Sequence, residues 1–485
     1  MTDKGMRALG LFPARKNGKG RDQNELLVDG DLPSDLTAGM VLVNPRFDRG
    51  DHAEIADALL DSIEGCRERL AGVNGSLWRY EGELGTWAER GRDDLRRIVK
   101  RFGGAPKGEK GTLRITSGAA EGAIVFAYAE VARPGFFDDA VAGVAMGRRF
   151  IAIEGGEVVV KKHAPEHRAR HRHAFDYDPE ASTAELLELL ESVFADAAEE
   201  DRAARIAFLQ EHVGACLVGI APTFQKCALL LGAGGNGKST VEEALYRGAL
   251  PDGTSASLAP QLWAERFQLA RLVGATANVV DEIPDGEIMK TGVFKAALDG
   301  SPVHVEQKNR DPFEARLRCG HVFAANALPA TKDLSDGFFR RFVVVRFDRR
   351  FDNTAGCDPH KAARIVARCR PGIVAFALEG AARLQRQGGY TLPPSSVETS
   401  NEWRRSSDSV ALFIDERTRP SAPDELGEQS SHLYSTYKAW AVANGFAVVS
   451  VKTFAHRLEA LGKAMIRRND ARRYPVVLRT SDSYQ

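Results

Sequence analysis

Residues Cys227–Leu245 read CALLLGAGGNGKSTVEEAL. Gly232, Ala233, Gly234, Gly235, Asn236, Gly237, Lys238 and Ser239 fit the spacing G-x-x-x-x-G-K-S/T. An apolar run, Ala228–Leu231, precedes the loop and reads as a buried strand. A helix-compatible run, Val241–Arg247, follows it, with Gly248 as the expected stop. A loop of this kind between strand and helix commits the chain to an α/β core. Its glycines let successive backbone N–H groups converge on phosphate oxygens, and the helix start adds partial positive charge. Lys238 is placed to reach the β- and γ-phosphates of ATP, and the Ser239 hydroxyl to hold Mg²⁺. The candidate nucleotide contacts are therefore Gly232, Gly234, Gly235, Asn236, Gly237, Lys238, Ser239 and Thr240.

The chain has 485 residues, enough for about three domains, and its 43% hydrophobic content supports real cores. The longest apolar runs, such as GIVAFAL at Gly372–Leu378, are too short to span a bilayer. The N-terminus is polar and basic without an apolar stretch, so no signal peptide is expected. The six cysteines (66, 216, 227, 319, 357, 369) form no C-x-x-C pair and read as reduced thiols of a cytoplasmic protein. Net charge is zero, yet eight Lys/Arg between Val451 and Thr480 face two acids, Glu459 and Asp470. A local basic face is the usual footprint for nucleic acid.

Residues 1–34 read as a disordered basic tail and 35–181 as an N-terminal α+β domain. Within the latter, SLWRYEGELGTWAERGRDDLRRIVKRF predicts two strands around a Gly-containing turn, then a helix over Asp93–Phe102. Trp78 and Trp87 are expected to pack a small core there. RRFIAIEGGEVVVKKH predicts a hairpin turning at Gly155-Gly156. A helical lead-in covers 182–220, and the P-loop domain 221–390. GGYTLPPSSVETS reads as a linker opening a last unit, 391–485. In that unit LYSTYKAWAVAN and SVKTFAHRLEALG predict two helices, and AMIRRNDARRYPVVLR a hairpin with a charged tip. Helix, helix, basic hairpin is a winged-helix pattern, with Lys452, Arg467 and Arg468 as candidate DNA contacts.

The P-loop domain carries further chemistry. ANVVDEIP predicts an apolar strand ending in acids: Asp281 to support Mg²⁺, Glu282 to polarise the attacking water as a general base. HVFAANALP predicts a third strand ending at Asn326, whose amide can orient water or sense the γ-phosphate. In DGFFRRFVVVRF, Arg340 and Arg341 precede another strand, and an arginine from a neighbouring subunit can neutralise charge on the transferring phosphoryl group. Between these lies LDGSPVHVEQKNRDPFEARLR. Val303 and Val305 alternate on one arm, Phe313, Ala315 and Leu317 on the other, and Lys308, Asn309 and Arg310 occupy the tip. A hairpin made only for packing does not need a cationic tip.

These parts together resemble a superfamily 3 helicase. GAGGNGKST, FKAALDGSPVHVEQKNRDPF, FAANALP and GFFRRF are similar to the phage and plasmid primase-helicase family, which includes the poxvirus-type primase-helicases. The resemblance covers about Asp178 to the C-terminus. It implies an AAA+-like ATPase core with a parallel sheet, a small α+β domain before it and a C-terminal winged helix after it. It further implies ATP and Mg²⁺ as cofactors and a hexameric ring whose hairpins track single-stranded DNA, with 3′-to-5′ polarity. Single-stranded and forked DNA, further copies of the chain, and a separate primase or polymerase are the implied partners. The expected function is an ATP-dependent replicative DNA helicase of a phage, plasmid or mobile element, in a bacterial or phage-infected cell.

Two alternatives differ in chemistry. The first is a primase-helicase: FDYDPE holds a D-x-D pair, Asp176 and Asp178, but only about 180 residues precede the helicase part. These aspartates are expected instead to open the helix at Ser182. The second is a DNA-bound ATPase that melts or marks an origin without processive unwinding. The run HAPEHRARHRHAF places His163, His167, His171 and His173 close together without cysteine or carboxylate spacing, and reads as a basic loop.

Overall fold

In the computed structural model, residues 45–63, 67–283, 291–308, 311–331, 333–351, 358–468 and 471–479 are described. The tail expected over residues 1–34 lies outside them, as do Cys66 and Cys357.

The centre of the chain is a five-stranded sheet whose neighbouring strands all run parallel. In chain order its strands are β1 (Cys227–Leu231), β2 (Ser255–Ala256), β3 (Ala277–Val280), β4 (Gly320–Ala325) and β5 (Phe342–Arg346). Their spatial order is β5-β1-β4-β3-β2. β3 and β4 are buried at every residue, and β1 at all but its last, because both faces of the sheet are covered. Alternation along β1 divides it between two cores. Ala228 and Leu230 pack with the helices Glu199–Val218 and Lys361–Gln387. Cys227 and Leu229 pack with Trp263, Phe294, Phe338 and Trp403. Each fully buried leucine here contributes roughly 1.5–3 kcal/mol.

The helix after the loop differs from its expected course. It is α-helical over Lys238–Val241, widens into a π turn over Glu242–Arg247, and continues to Ala249. Gly248 keeps right-handed angles, φ −66° and ψ −40°, and stops nothing. A Cβ there would meet Val366 at 3.0 Å, so glycine serves close helix packing.

The segment read as a linker is largely the helix Pro394–Ser407. Its Ser396 Oγ accepts from Val344 N at 2.8 Å, which occupies a backbone donor on the edge strand β5. Trp403 of the same helix is buried in the core shared with β1 and β5. The helix thus belongs to the central body.

The first body packs the helices His52–Ile63, Arg92–Arg101 and Ser117–Glu130 on the antiparallel strands Leu70–Val73, Ser76–Glu81 and Thr86–Arg90. Trp87 and Trp78 pack with Tyr80, Phe136 and Phe137, as expected. The hairpin Arg149–Glu154/Glu157–Lys162 also forms. Its sheet, however, shares a core with the central body: Ile151 and Ile153 pack with Leu186, Leu190 and Phe208. The boundary expected at 181 therefore cuts through one core, whereas the first body's own core runs from Phe47 to Val131.

The last unit places helices Ser409–Arg417, Ser430–Ala443 and Val451–Ala460 around Phe413, Tyr437, Trp440 and Phe454. Strands Ile466–Arg468 and Ala471–Tyr474 form the charged hairpin, and Val476–Leu478 pairs with Thr418–Pro420.

Candidate nucleotide site and hairpin

The carboxyl ends of β1, β3 and β4 meet at one edge of the sheet, the usual place for a ligand in an open α/β fold. Leu231 pairs with Ala325 on β4 and Arg346 on β5, so the loop leaves β1 beside Asn326. Val280 pairs with Phe323, which brings Asp281 and Glu282 to the same edge. The loop residues 234–240, Asp281, Glu282 and Asn326 line one cavity of about 930 Å³. That volume suits a nucleotide-sized ligand.

The loop's shape follows from its residues. Gly237 sits at φ 86°, a left-handed angle that side-chain-bearing residues resist. At Gly232 a Cβ would lie 2.4 Å from the Phe347 carbonyl. The buried Asn236 donates from Nδ2 to that carbonyl at 2.9 Å and ties the loop to the end of β5. Lys238 turns its ammonium back over the loop, donating to Gly232 O and to Asn236 Oδ1, the latter at 3.2 Å. Burial lowers the Lys238 pKa against the pull of Glu242 and Glu282. Ser239 is exposed on the cavity wall and Thr240 half-buried beside it.

Asn326 links Glu282 to the lysine. It donates from Nδ2 to Glu282 Oε1 at 2.8 Å, and its Oδ1 accepts from Lys238 at 3.3 Å. Asp281 is mostly exposed and holds an ion pair with Arg247 at 2.8 Å. The donor set suits Mg²⁺: a hydroxyl and a carboxylate on one wall, both reachable by solvent, as a hard cation that keeps part of its water requires.

Some wall residues escaped the sequence reading. Arg349, Arg350, Phe351 and Lys361 line the same cavity, and Arg349 Nη1 donates to Ser192 O at 2.6 Å. Phe351 N donates to Gly235 O at 2.8 Å, and the Arg349 guanidinium lies 5.1 Å from the Phe351 ring centre. The available signal was DRRF, a cationic run directly after β5. Glu242 was missed as well. It is 2% exposed, its carboxyl oxygens have no hydrogen-bond partner among the described residues, and burial with the nearby Asp281 charge pushes its pKa up to about 8.

The two candidate arginines have different surroundings. Arg341 is buried, and its Nε donates to Asp299 Oδ1 at 3.1 Å in a two-pronged pair. The pair holds the Arg341 guanidinium within its own chain. Arg340 is exposed, and among the described residues its side chain makes a long 3.4 Å contact to Gln225.

The hairpin forms as expected: Pro302–Val305 pairs with Phe313–Arg316, with Val303 opposite Ala315. Val303, Val305, Ala315 and Leu317 are buried, while Lys308 is exposed at the turn. Asn309 and Arg310 lie outside the described residues. In the last unit Lys452 and Arg467 are exposed; Arg468 ends its strand, and its side chain lies outside the description. Arg457, Arg473 and Arg479 are engaged internally, with Asp408, Gly427 O and Thr418 O.

The histidine run is not a solvated basic loop. His163, His171 and His173 each bond a different backbone carbonyl, of Gly147, Gly274 and Ala249, and His167 stacks on Phe150. Burial pushes His171 and His173 down to about 4, so both are neutral packing posts. Asp176 accepts from Arg148 N and Asp178 from Glu180 N, so both aspartates cap turns.

Residues 230–341, from the end of β1 to the residue before β5, match a family of unknown function, DUF5906. No match is found among curated proteins. Among solved structures, the chain is similar to an A-form apo structure of the NrS-1 C-terminal region, at 12% identity and a TM-score of 0.42, over 86% of this chain and 87% of that one. An apo structure of the NrS-1 C-terminal region, residues 305–718, is similar at 12% identity and 0.42, over 88% of this chain and 99% of that one. Among the described residues no helix is long and apolar enough to cross a membrane.

Proposed function

We propose that this chain is an ATP-driven DNA helicase of a phage, plasmid or other mobile element, working as a ring on single-stranded DNA. The observation that carries the reading is the line Lys238–Asn326–Glu282 across the ends of β1, β4 and β3. It lies in a sheet ordered β5-β1-β4-β3-β2, the AAA+-like order, with a Lys-tipped hairpin between β3 and β4. On this reading Lys238 binds the β- and γ-phosphates, and Ser239 and Asp281 hold Mg²⁺. Bound there, Mg²⁺ neutralises phosphate charge. Glu282, oriented by Asn326, accepts a proton from the attacking water. Arg340 reaches the site of a neighbouring copy, and Lys308 grips the strand. The unit from Ser409 onward is a winged helix that touches duplex DNA through Lys452, Arg467 and Arg468. Primer synthesis forms no part of the proposal, since Asp176 and Asp178 are engaged as turn caps.

The test is strand displacement on a forked DNA with ATP or a non-hydrolysable analogue. Displacement with ATP alone supports the reading. ATP turnover stimulated by DNA without displacement would favour an origin-melting switch instead.

A further inference from the structure

A second cavity, of about 330 Å³, lies where three parts of the chain meet. Trp78 and Glu89 of the first body line one side, and the edge strand β2 and Gly274 another. Gln307 and Phe313, on the two arms of the hairpin, close it. Gln307 directly precedes Lys308, so the cavity opens beside the hairpin tip.

The cavity is built around Arg170. The preceding residue is fixed to the first body, because Trp87 N donates to Ala169 O at 2.7 Å. The following residue, His171, bonds Gly274 O at 2.6 Å. Arg170 lies with its guanidinium 4.8 Å from the Phe137 ring centre. Gly274 is at φ 86°, and a Cβ on it would come within 2.8 Å of Arg170 Nη1, so the guanidinium packs against bare backbone.

Among the described residues, this guanidinium makes no hydrogen bond and no ion pair. Burial and the neighbouring Arg318 push its pKa down to about 10. Arg318 itself donates from Nη1 to the carbonyls of Phe137, Asp138 and Ala140. The Asp138 and Glu89 charges raise the Arg170 pKa against burial without bonding the guanidinium, which faces the cavity, and its planar fork matches a phosphate. Arg271, exposed on the rim and held by Ser257 O at 2.9 Å, adds a second positive charge. The half-buried Trp78 supplies an aromatic wall, and Glu89 opposite it on the next strand an acceptor for a base amine.

We propose that this cavity holds one nucleotide of a single strand, with its phosphate on Arg170 and Arg271 and its base against Trp78. The inference rests on the single-strand reading above and extends it: the strand is gripped by the first body as well as by Lys308. The volume suits a single nucleotide. Because stacking accepts any base, the grip is tolerant of sequence.

The test is the affinity of the full chain for a fluorescein-labelled oligothymidylate, read by anisotropy at several salt concentrations. Arg170→Gln and Trp78→Leu are each expected to weaken binding roughly tenfold, the worth of one contact. Arg271→Ala, a surface change that spares the fold, is expected to lower the salt slope by about one. Thermal unfolding checks each variant. If all three bind like the parent while Lys308→Ala binds weakly, the cavity proposal is wrong and the motor reading stands. If the parent binds no single strand, both fall. If thymidine monophosphate displaces the oligonucleotide at equal concentration, the cavity serves free nucleotides and the strand assignment is overturned.

Discussion

The Asn326 amide donates to the Glu282 carboxylate at 2.8 Å, and its oxygen faces the Lys238 ammonium at 3.3 Å. One side chain thus orients the candidate base and reports on the residue that would hold the γ-phosphate. Lys238→Ala is expected to abolish ATP hydrolysis. Glu282→Gln is expected to bind ATP as tightly as the parent and to lose about 10²–10⁴-fold in kcat, because an amide cannot accept the water's proton. Asn326→Ala, which leaves Glu282 unoriented, is expected to lose about 10- to 100-fold in kcat with ATP affinity within a few fold. Equilibrium nucleotide binding and steady-state turnover, measured together, check all three. Full turnover in Glu282→Gln would remove the base assignment.

The neighbours Arg340 and Arg341 are expected to fail in different ways. Arg341 is the buried half of a pair with Asp299, and truncating it strands a carboxylate. Arg341→Ala is expected to lose about 3 kcal/mol of stability in urea unfolding. Arg340→Ala should leave stability within about 0.5 kcal/mol, as exposed positions do, and should bind ATP yet hydrolyse it poorly. Mixing it with Lys238→Ala protein should restore turnover at shared sites. A mixed rate that never exceeds the sum of the two separate rates would make Arg340 a surface residue.

Glu242 gives a pH signature. Its folded pKa is about 8 against an ordinary value of 4.5. Between those values the unfolded chain has released the proton and the folded chain keeps it. The folded state is therefore favoured most below pH 4.5, and this contribution is lost as pH rises toward 8. Glu242→Gln keeps the shape and removes the proton. Its stability relative to the parent should grow by about 2 kcal/mol between pH 6 and pH 8. Urea unfolding of both proteins at the two pH values reads this directly; a difference independent of pH would mean that Glu242 is ionised in the fold.

Much of the central sheet was legible because β1, β3 and β4 are buried on both faces and so appear as apolar runs ending in chemistry-bearing residues. β2 was not legible: two residues at a sheet edge carry no periodicity. The helix Pro394–Ser407 passed for a linker because it buries little beyond Ser396, Thr399 and Trp403, and its Ser396 hydroxyl works as a backbone acceptor, which composition does not reveal. Arg340 and Arg341 are the same residue type side by side; only Asp299, far upstream, separates their roles. His171 and His173 likewise read as basic until their burial and backbone partners are known. Motif spacing marks a site, and long-range partners decide which residues are free to act in it.

The hairpin tip offers the most direct test of what the candidate nucleotide site would drive. Val303 and Val305 on one arm and Ala315 on the other anchor the hairpin in the same core as β1 and β5, so a shift at the nucleotide site has a packed route to Lys308. Lys308 is exposed at the turn. A phosphate contact there is tolerant of sequence and weakens with salt. Lys308→Ala is therefore expected to cut the stimulation of ATPase by single-stranded DNA severalfold and to lower the strand displaced per ATP hydrolysed by a larger factor. Lys452→Ala and Arg467→Ala, on the last unit, should weaken loading onto duplex-containing substrates and leave displacement per ATP unchanged once the protein is loaded. The measurement is displacement per ATP on a preloaded fork, compared across the three variants. If Lys308→Ala unwinds that fork as efficiently as the parent, the hairpin is not the element that moves the strand.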